Sequence, residues 1–378
     1  MGAIFKMLKT LFRPVYVPGS SPKNEKQEKN FKFPTLKEIF QYPISEVEIF
    51  PTRQCAENCV GCSVPTQIRW GQETRMPVEW WIDFIKNMAR RGVNYIMIMG
   101  GEPTTYPGIE KIIKILAELK QEKKINGGIF TDGIPLCRNP QRLEFLIANG
   151  LLEITTHSSV DFLVEKEPLL EEGKKVITSR HHKAFYGLEI LQILKKKGAR
   201  GVVANTVVMP DNLDQIIPLY RKCEAEGIIM TIVPFQWQCH LYQGREKSSF
   251  TNYLTDKHIL KLKKIVNFIL KNEKDKIEKG EERTVLNSSR FLRAIPTLGV
   301  AQPVNCNNFA GPPGVFAVLP DGTFRHCPVV TKLEDVWRCP GCHYGFRDRN
   351  PKFENYLEAM GIFDDPEGKD FPNIVHQI

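Results

Sequence analysis

The chain has 378 residues, 10 of them cysteines, and a formal charge of +9 at pH 7. This length can hold one large domain of about 250 to 300 residues and a smaller one. The charge is dispersed as mixtures of Lys and Glu along predicted helices, so no specific nucleic-acid partner is indicated. No apolar run reaches the roughly 18 residues of a membrane-spanning helix. Clustered cysteines without a signal peptide indicate a reducing, cytoplasmic compartment.

Residues 1–30 are the first predicted segment. The stretch MGAIFKMLKTLFRP places apolar side chains on one helical face with basic residues beside it. This pattern is typical of a helix packed on its own protein and also of a helix lying on a membrane surface. Peripheral contact with the inner face of the membrane through residues 1–14 is therefore one expectation. A polar linker, PGSSPKNEKQEKN, follows and reads as flexible.

Strand-like and helix-like segments alternate over residues 31–285. The six strand-like segments are EVEIF, YIMIM, GGIFT, EITTHS, GVVANTVVM and IIMTIVPF. An amphipathic helical pattern follows each of them. Such units require parallel strands with right-handed crossovers, either in an open doubly wound sheet or in a partial barrel. In both architectures, ligands bind at the carboxyl ends of the strands.

The chain changes character over residues 286–378. The segment GVFAVLPDGTFRHC predicts a β-hairpin, and four cysteines surround it. They are Cys306, Cys327, Cys339 and Cys342. Four cysteines on a small hairpin-rich unit favour a closed metal site, which is either structural zinc or an iron–sulfur cluster.

Two motifs follow the first two predicted strands. The first, CAENCVGC, contains Cys55, Cys59 and Cys62, and the second is GGEP, residues 100–103. Three thiolates on a four-iron cluster leave one iron with an exchangeable position. Two glycines allow close backbone approach, and an acidic side chain can accept hydrogen bonds from an ammonium group.

Together these motifs resemble those of the radical SAM superfamily, over roughly residues 47–234. The resemblance implies a partial (β/α)6 barrel of the TIM type and a 4Fe-4S cluster held by the three cysteines. S-adenosylmethionine would fill the open iron position and be cleaved reductively to a 5′-deoxyadenosyl radical, which abstracts hydrogen from a substrate. In the family, the GGEP segment receives the amino group of S-adenosylmethionine, which assigns that role to Gly100, Gly101, Glu102 and Pro103.

Other strand ends supply further candidate contacts to S-adenosylmethionine. The TDG segment beginning at Thr131 resembles the family's usual TNG, and Ser158 and Asp161 resemble residues beside the ribose. Asn205 lies where members often place a polar contact. Each of these side chains is equally typical of a helix cap or a buried, hydrogen-bonded polar group. One departure is Gly61, which stands where many members carry an aromatic residue against the adenine.

The remaining cysteines have less specific interpretations. Cys223 is predicted to be a small buried apolar residue of a helix. Cys137 and Cys239 follow the third and sixth strands, where a thiol could donate a hydrogen atom to a substrate radical or simply pack in a loop or core. The C-terminal cysteines resemble the SPASM or twitch modules of the superfamily, which implies a second, auxiliary 4Fe-4S cluster.

The substrate does not follow from the motifs. Twitch and SPASM modules accompany peptide maturation in relatives, so a peptide or protein substrate is the leading expectation. The N-terminal helix and Gly61 favour the alternative, a small molecule or an isoprenoid lipid modified at a membrane surface. A third reading is a non-enzymatic Fe–S carrier or redox sensor. An electron donor such as ferredoxin or flavodoxin is an implied partner.

Overall fold

The residues that the structure describes are built around one open, eight-stranded sheet. A computed structural model describes residues 46–55, 57, 74–168, 175–234, 254–287, 289–298, 315–322 and 324–325. The strands are β1 (Glu46–Ile49), β2 (Tyr95–Ile98), β3 (Asn126–Phe130), β4 (Thr155–Ser159), β5 (Val202–Val208), β6 (Ile229–Pro234), β7 (Val315–Val318) and β8 (Phe324–Arg325). Their order is β6-β5-β4-β3-β2-β1-β7-β8. All neighbours are parallel except β7 and β8, so seven parallel strands form an unclosed barrel wall.

Helices follow the strands in the order that the sequence predicts. They are α1 (Val78–Arg90), α2 (Ile109–Gln121), α3 (Ile134–Cys137), α4 (Pro140–Ala148), α5 (Lys175–Lys196), α6 (Leu213–Glu226), α7 (Asp256–Glu278) and α8 (Ser289–Leu298). The long helices were expected from their periodicity, whereas the one-turn α3 and the ten-residue α8 were not. No described helix is long and apolar enough to cross a membrane.

The helices pack against a single face of the sheet. Alternate strand residues, such as Val47 and Ile49 of β1 and Ile96 and Ile98 of β2, join one core with the buried side chains of the helices. In α1 these buried side chains recur at helical spacing, as Trp81, Phe84, Ile85 and Met88. In a doubly wound sheet helices cover both faces, whereas in a barrel they cover only the outer face. Helices on one face therefore identify this sheet as a partial barrel.

The other face of the sheet carries buried polar side chains. Successive strand residues point to opposite faces, so the residues between the core positions line the barrel interior. They include Glu46, Glu48, Thr155, His157, Asn205 and Thr231, all of them buried. Polar groups in such a place need partners from the chain or from a ligand.

The C-terminal part of the chain adds to both edges of the sheet formed by β1 to β6. The first strand of the predicted hairpin, β7, pairs in parallel with β1 from Glu46 opposite Val315 to Ile49 opposite Val318. At the other edge, Val285 bridges to Met230 of β6, and α8 contributes Phe291 to the common core. Residues on both sides of position 285 therefore share this core, and the division of the chain at that position stays a prediction.

Candidate active site

The segment after β1 lies against the loop after β2. The β1–β2 pairing continues past the strands: Gly101 N–H donates to the carbonyl oxygen of Thr52 at 2.9 Å, and Glu102 N–H donates to that of Gln54 at 2.7 Å. These bonds place Cys55 directly beside the GGEP segment. The structure thus brings together the two motifs, although Cys59 and Cys62 lie outside the described residues.

The two glycines of GGEP are required by this backbone contact. A Cβ on Gly100 would lie 2.4 Å from the Thr52 carbonyl oxygen, and Gly100 has φ +144. A Cβ on Gly101 would lie 2.2 Å from the carbonyl oxygen of Gln54. Any side chain here would displace the segment that carries Cys55. The glycines therefore have a structural role in addition to the expected one of admitting a ligand.

Glu102 joins the ends of β2 and β3. Its Oε1 accepts hydrogen bonds from the Thr104 amide at 3.0 Å and the Thr131 hydroxyl at 2.8 Å, and its Oε2 accepts from the Asp132 amide at 2.7 Å. Burial and the neighbouring Asp132 raise the pKa of Glu102. The next residue, Pro103, is buried and begins a 3-10 turn. The carboxylate is thus largely engaged by the protein, and its role toward an ammonium group stays a prediction.

Cys55 lies beside a second buried carboxyl group. Its Sγ donates to Asp132 Oδ2 at 3.8 Å and accepts from the Glu57 amide at 3.4 Å. Burial and Asp132 raise the pKa of the Cys55 thiol. Burial also raises the pKa of Asp132, while Lys183 lowers it. The TDG motif pointed to this position, but sequence reasoning did not single out Asp132, whose contact with Cys55 depends on the tertiary fold.

Ser158 and Asp161 fasten neighbouring strands to each other. The Ser158 hydroxyl donates to the Thr131 carbonyl oxygen at 2.6 Å and is fully buried. Asp161 Oδ1 accepts from the Val207 amide at 2.8 Å, and burial raises the pKa of Asp161. Both side chains have the hydrogen-bonded roles that the sequence left open as alternatives. Their predicted contacts to S-adenosylmethionine remain predictions.

Asn205 orients a histidine in the barrel interior. Thr231 Oγ1 donates to Asn205 Oδ1 at 2.6 Å, and Asn205 Nδ2 lies 3.4 Å from the Val203 carbonyl oxygen and 3.3 Å from His157 Nδ1. The amide nitrogen therefore donates to Nδ1, which leaves the imidazole proton on Nε2. Burial lowers the pKa of His157 to about 4. Its Nε2 is buried without a hydrogen-bond partner in the described part of the chain.

Arg180, at the N-terminal half of α5, was not identified from the sequence. Its Nη1 donates to Asp211 Oδ2 at 3.1 Å, its Nε lies 3.9 Å from Asp161 Oδ2, and its guanidinium carbon lies 4.8 Å from the Phe162 ring centroid. The side chain is 9% exposed. Its Nη2 has no hydrogen-bond partner among the residues described. A buried guanidinium with an unused donor is suited to a carboxylate ligand.

The described cysteines other than Cys55 are packed. Cys223 is fully buried in α6, which confirms its prediction as a core residue. Cys137 is half-buried at the end of α3, and its Sγ donates to the Tyr186 carbonyl oxygen at 3.8 Å. Burial raises the pKa of the Cys137 thiol to about 12. Its role as a hydrogen donor remains a prediction. Cys239, Cys306, Cys327, Cys339 and Cys342 lie outside the described residues.

Residues 49–223 match the Radical SAM superfamily. A probable GTP 3′,8-cyclase of Methanococcus aeolicus is 26% identical over 200 residues, 53% of this chain and 62% of that protein. A GTP 3′,8-cyclase of Helicobacter pylori is 25% identical over 258 residues, 68% of this chain and 74% of that protein. The chain thus spans less than two thirds of the length of the first of these relatives.

Solved structures share the fold. SuiB of Streptococcus suis, bound to its precursor peptide SuiA, superposes with a TM-score of 0.54 at 16% identity, covering 78% of this chain and 65% of SuiB. The enzyme anSMEcpe, with bound AdoMet and a Cp18Cys peptide, gives 0.51 at 17% identity, covering 86% and 85% of the two chains. At this level of identity the likeness concerns the fold alone.

Fold and site together define an open parallel α/β barrel with its functional groups at the carboxyl ends of the strands. Residues 49–223, somewhat less than half of the chain, match the model of the Radical SAM superfamily, so the chain is similar to that superfamily over this range. Members of this superfamily use a 4Fe-4S cluster and S-adenosylmethionine. The described residues fit both groups: the Cys55 sulfur receives an amide hydrogen bond from Glu57, as cluster thiolates do, and Arg180 has an unused donor for a carboxylate.

Proposed function

We propose that this chain is a radical SAM enzyme that abstracts hydrogen from its substrate. The observation that carries the proposal is the position of Cys55, which the Thr52 and Gln54 carbonyls hold against the GGEP segment at the carboxyl edge of the barrel. A carrier or redox sensor has no need of a segment that receives an amino group. A cluster bound at this position would supply the one electron needed to cleave S-adenosylmethionine reductively into methionine and a 5′-deoxyadenosyl radical.

The protein's own groups have separate tasks in this proposal. Cys55, together with Cys59 and Cys62, would hold the cluster. Arg180 would bind the carboxylate of S-adenosylmethionine through its unused Nη2, because its other donors already face Asp161 and Asp211. The buried interior would exclude water and thereby protect a reactive species.

A peptide or protein is the substrate we propose first. It is supported by the resemblance of the C-terminal cysteines to twitch modules, and it is compatible with a fold shared with two proteins solved with peptides bound. Those likenesses lie below 25% identity, so they do not by themselves transfer a substrate. The auxiliary cluster at Cys306, Cys327, Cys339 and Cys342 and a ferredoxin or flavodoxin as electron donor belong to the same proposal.

A small-molecule substrate is the second candidate. The relatives described above, which are 25% to 26% identical to this chain, are named GTP 3′,8-cyclases. The small molecule we would test first is therefore a purine nucleoside triphosphate. The isoprenoid-lipid version depends on residues 1–14, which lie outside the described residues. Flotation with liposomes, with and without residues 1–30, tests that version, and failure of the full chain to float would contradict it.

Detection of 5′-deoxyadenosine tests the enzyme itself. Anaerobically reconstituted protein is mixed with dithionite and S-adenosylmethionine, and we expect 5′-deoxyadenosine and methionine from the wild type and neither from Cys55→Ala. Complete absence of both products from protein with an intact cluster would refute the proposal. Adding GTP separates the substrate classes, since a GTP-dependent rise in 5′-deoxyadenosine favours the small-molecule candidate.

A further inference from the structure

Glu57 is a buried carboxylate within the cysteine motif. It lies two residues after Cys55 and is 8% exposed. Its amide donates to Cys55 Sγ at 3.4 Å, and its Oε1 lies 3.2 Å from Nδ1 of His182. A buried carboxylate is costly unless it is paired and hydrogen-bonded. The contact with His182 therefore restrains the backbone that carries the thiol.

His182 lies on α5, between Glu57 and a guanidinium group. The side chain is 2% exposed, and its Nε2 lies 3.0 Å from Arg138 Nη2. Arginine can only donate hydrogen bonds, so Nε2 must accept and the ring proton must be on Nδ1. Nδ1 then donates to Glu57. The three side chains form one ordered chain of hydrogen bonds from a cation, through a neutral imidazole, to an anion.

The outer end of this chain is anchored independently of the cysteine motif. Arg138, which follows α3, donates from Nη2 to Glu167 Oε1 at 3.0 Å and from Nε to the Tyr186 hydroxyl at 3.2 Å. Tyr186 in turn donates to Glu167 at 2.6 Å, and its ring packs edge-on against His182 with centroids 5.0 Å apart. The chain of hydrogen bonds thus ties Glu57 to three separate parts of the barrel: the residues after α3, the loop after β4, and α5.

We propose that the Arg138–His182–Glu57 chain holds the residues after β1 in the conformation that presents Cys55 to the cluster, with His182 as the positioning residue. This inference rests on the proposed function. The glycine contacts restrain Thr52 to Gln54 from one side, and His182 restrains Glu57 from the other. Cys55 lies between the two restraints, so removing one of them frees its sulfur to move away from the ligand position.

The test compares His182→Leu with His182→Gln. The leucine cannot bond to either neighbour, whereas the glutamine can accept from Arg138 and donate to Glu57. After anaerobic reconstitution we expect iron to be lost to a chelator about tenfold faster from His182→Leu than from wild type, since changes in outer hydrogen-bond partners commonly cost that much in metal affinity. His182→Gln should restore most of the retention.

Electron paramagnetic resonance identifies the cluster concerned. The signal of the reduced protein that changes on addition of S-adenosylmethionine belongs to the cluster at Cys55. We expect this signal to weaken in His182→Leu and to recover in His182→Gln. The matched control is the adjacent His181→Leu, which alters a histidine stacked on Phe162 at 4.3 Å and should leave iron release unchanged.

Thermal unfolding of the apo-protein separates positioning from folding. If His182→Leu unfolds at a lower temperature than wild type, Glu57→Ala serves in its place. This variant interrupts the same series of hydrogen bonds at its Glu57 end, and its iron release can be compared with that of wild type in the same way. If the variants are folded and their iron release and spectra are like those of wild type, the role of His182 is overturned, but the proposed function is not. A wild-type protein that takes up no iron would overturn the proposed function and the role of His182 with it.

Discussion

At the scale of single residues, backbone contacts determine which side chains are tolerated beside Cys55. Gly101 was expected to admit a ligand, yet the atom nearest to its missing Cβ is the carbonyl oxygen of Gln54. The GGEP motif is recognisable in the sequence because it follows the second predicted strand, directly after the strand that precedes the three-cysteine motif. Its contact with the segment after β1 is not recognisable there, since nothing local relates positions so far apart in the chain.

Gly101→Ala should release iron without unfolding the barrel. The new Cβ, 2.2 Å from the Gln54 carbonyl, forces the segment carrying Cys55 to move. We expect iron content after reconstitution to fall several-fold and the free energy of unfolding to drop by about 1 to 3 kcal/mol. Iron analysis and chemical denaturation measure the two effects. Gly198→Ala is the control, because its φ of +88 adds strain but its Cβ meets nothing within 4 Å; equal iron loss there would contradict the prediction.

His157 should make stability depend on pH. Its pKa is about 4 in the folded state and about 6.5 when unfolded. The unfolded chain therefore binds the proton more readily, and the stability present above pH 6.5 is lost as pH falls toward 4. The full loss is roughly 3 kcal/mol. Chemical denaturation gives the free energy of unfolding of wild type and His157→Gln at several pH values between 7 and 4. We expect this free energy to fall more steeply with decreasing pH in the wild type. Equal slopes in the two proteins would contradict the prediction.

At the scale of elements, a buried carboxylate on α7 fixes the chain at the open edge of β6. Glu273 is fully buried and accepts from the Tyr220 hydroxyl at 2.8 Å and from the amides of Thr284 and Val285, both at 3.1 Å. These bonds hold the segment that bridges to Met230 of β6. The edge strand is thus covered by the chain itself, as unpaired edges generally must be.

Glu273→Ala should destabilise the whole domain. It leaves a buried hydroxyl and two buried amides without their acceptor, at a cost of about 3 kcal/mol or more. The midpoint of denaturation measures this loss. Glu278→Ala on the same helix removes only an exposed ion pair with Lys274 at 3.9 Å, so it should change stability by less than about 1 kcal/mol. Similar losses in both variants would refute the role of Glu273.

Six of the eight strands in the described part of the chain were predicted with nearly correct bounds. Their alternation with amphipathic helices carries enough local information, because each apolar stripe must face the sheet. The hairpin at β7 and β8 was also predicted, but not its place next to β1. A parallel pairing between residues so far apart has no local signal. The short α3 was missed for a different reason, since four residues show no periodicity.

At the scale of the whole molecule, the number of metal clusters is the main prediction. Two four-iron clusters give about eight irons per chain, whereas zinc at the C-terminal site gives about four irons and one zinc. Metal analysis with Mössbauer spectra on reconstituted protein distinguishes these outcomes. Cys306→Ala should lower iron to about four per chain and leave the signal that responds to S-adenosylmethionine intact. One zinc with four irons would contradict the auxiliary cluster.

The sequence by itself determined the class of this protein. The residue types and spacing in CAENCVGC and GGEP, placed after consecutive strands, specify a chemistry that few other arrangements need. The tertiary structure decided which groups meet: Cys55 with Asp132, Glu57 with His182, and Asn205 with His157. Each of these pairs is at least 48 residues apart. Their contacts arise only when strands far apart in the chain align at one edge, and no local pattern encodes that alignment.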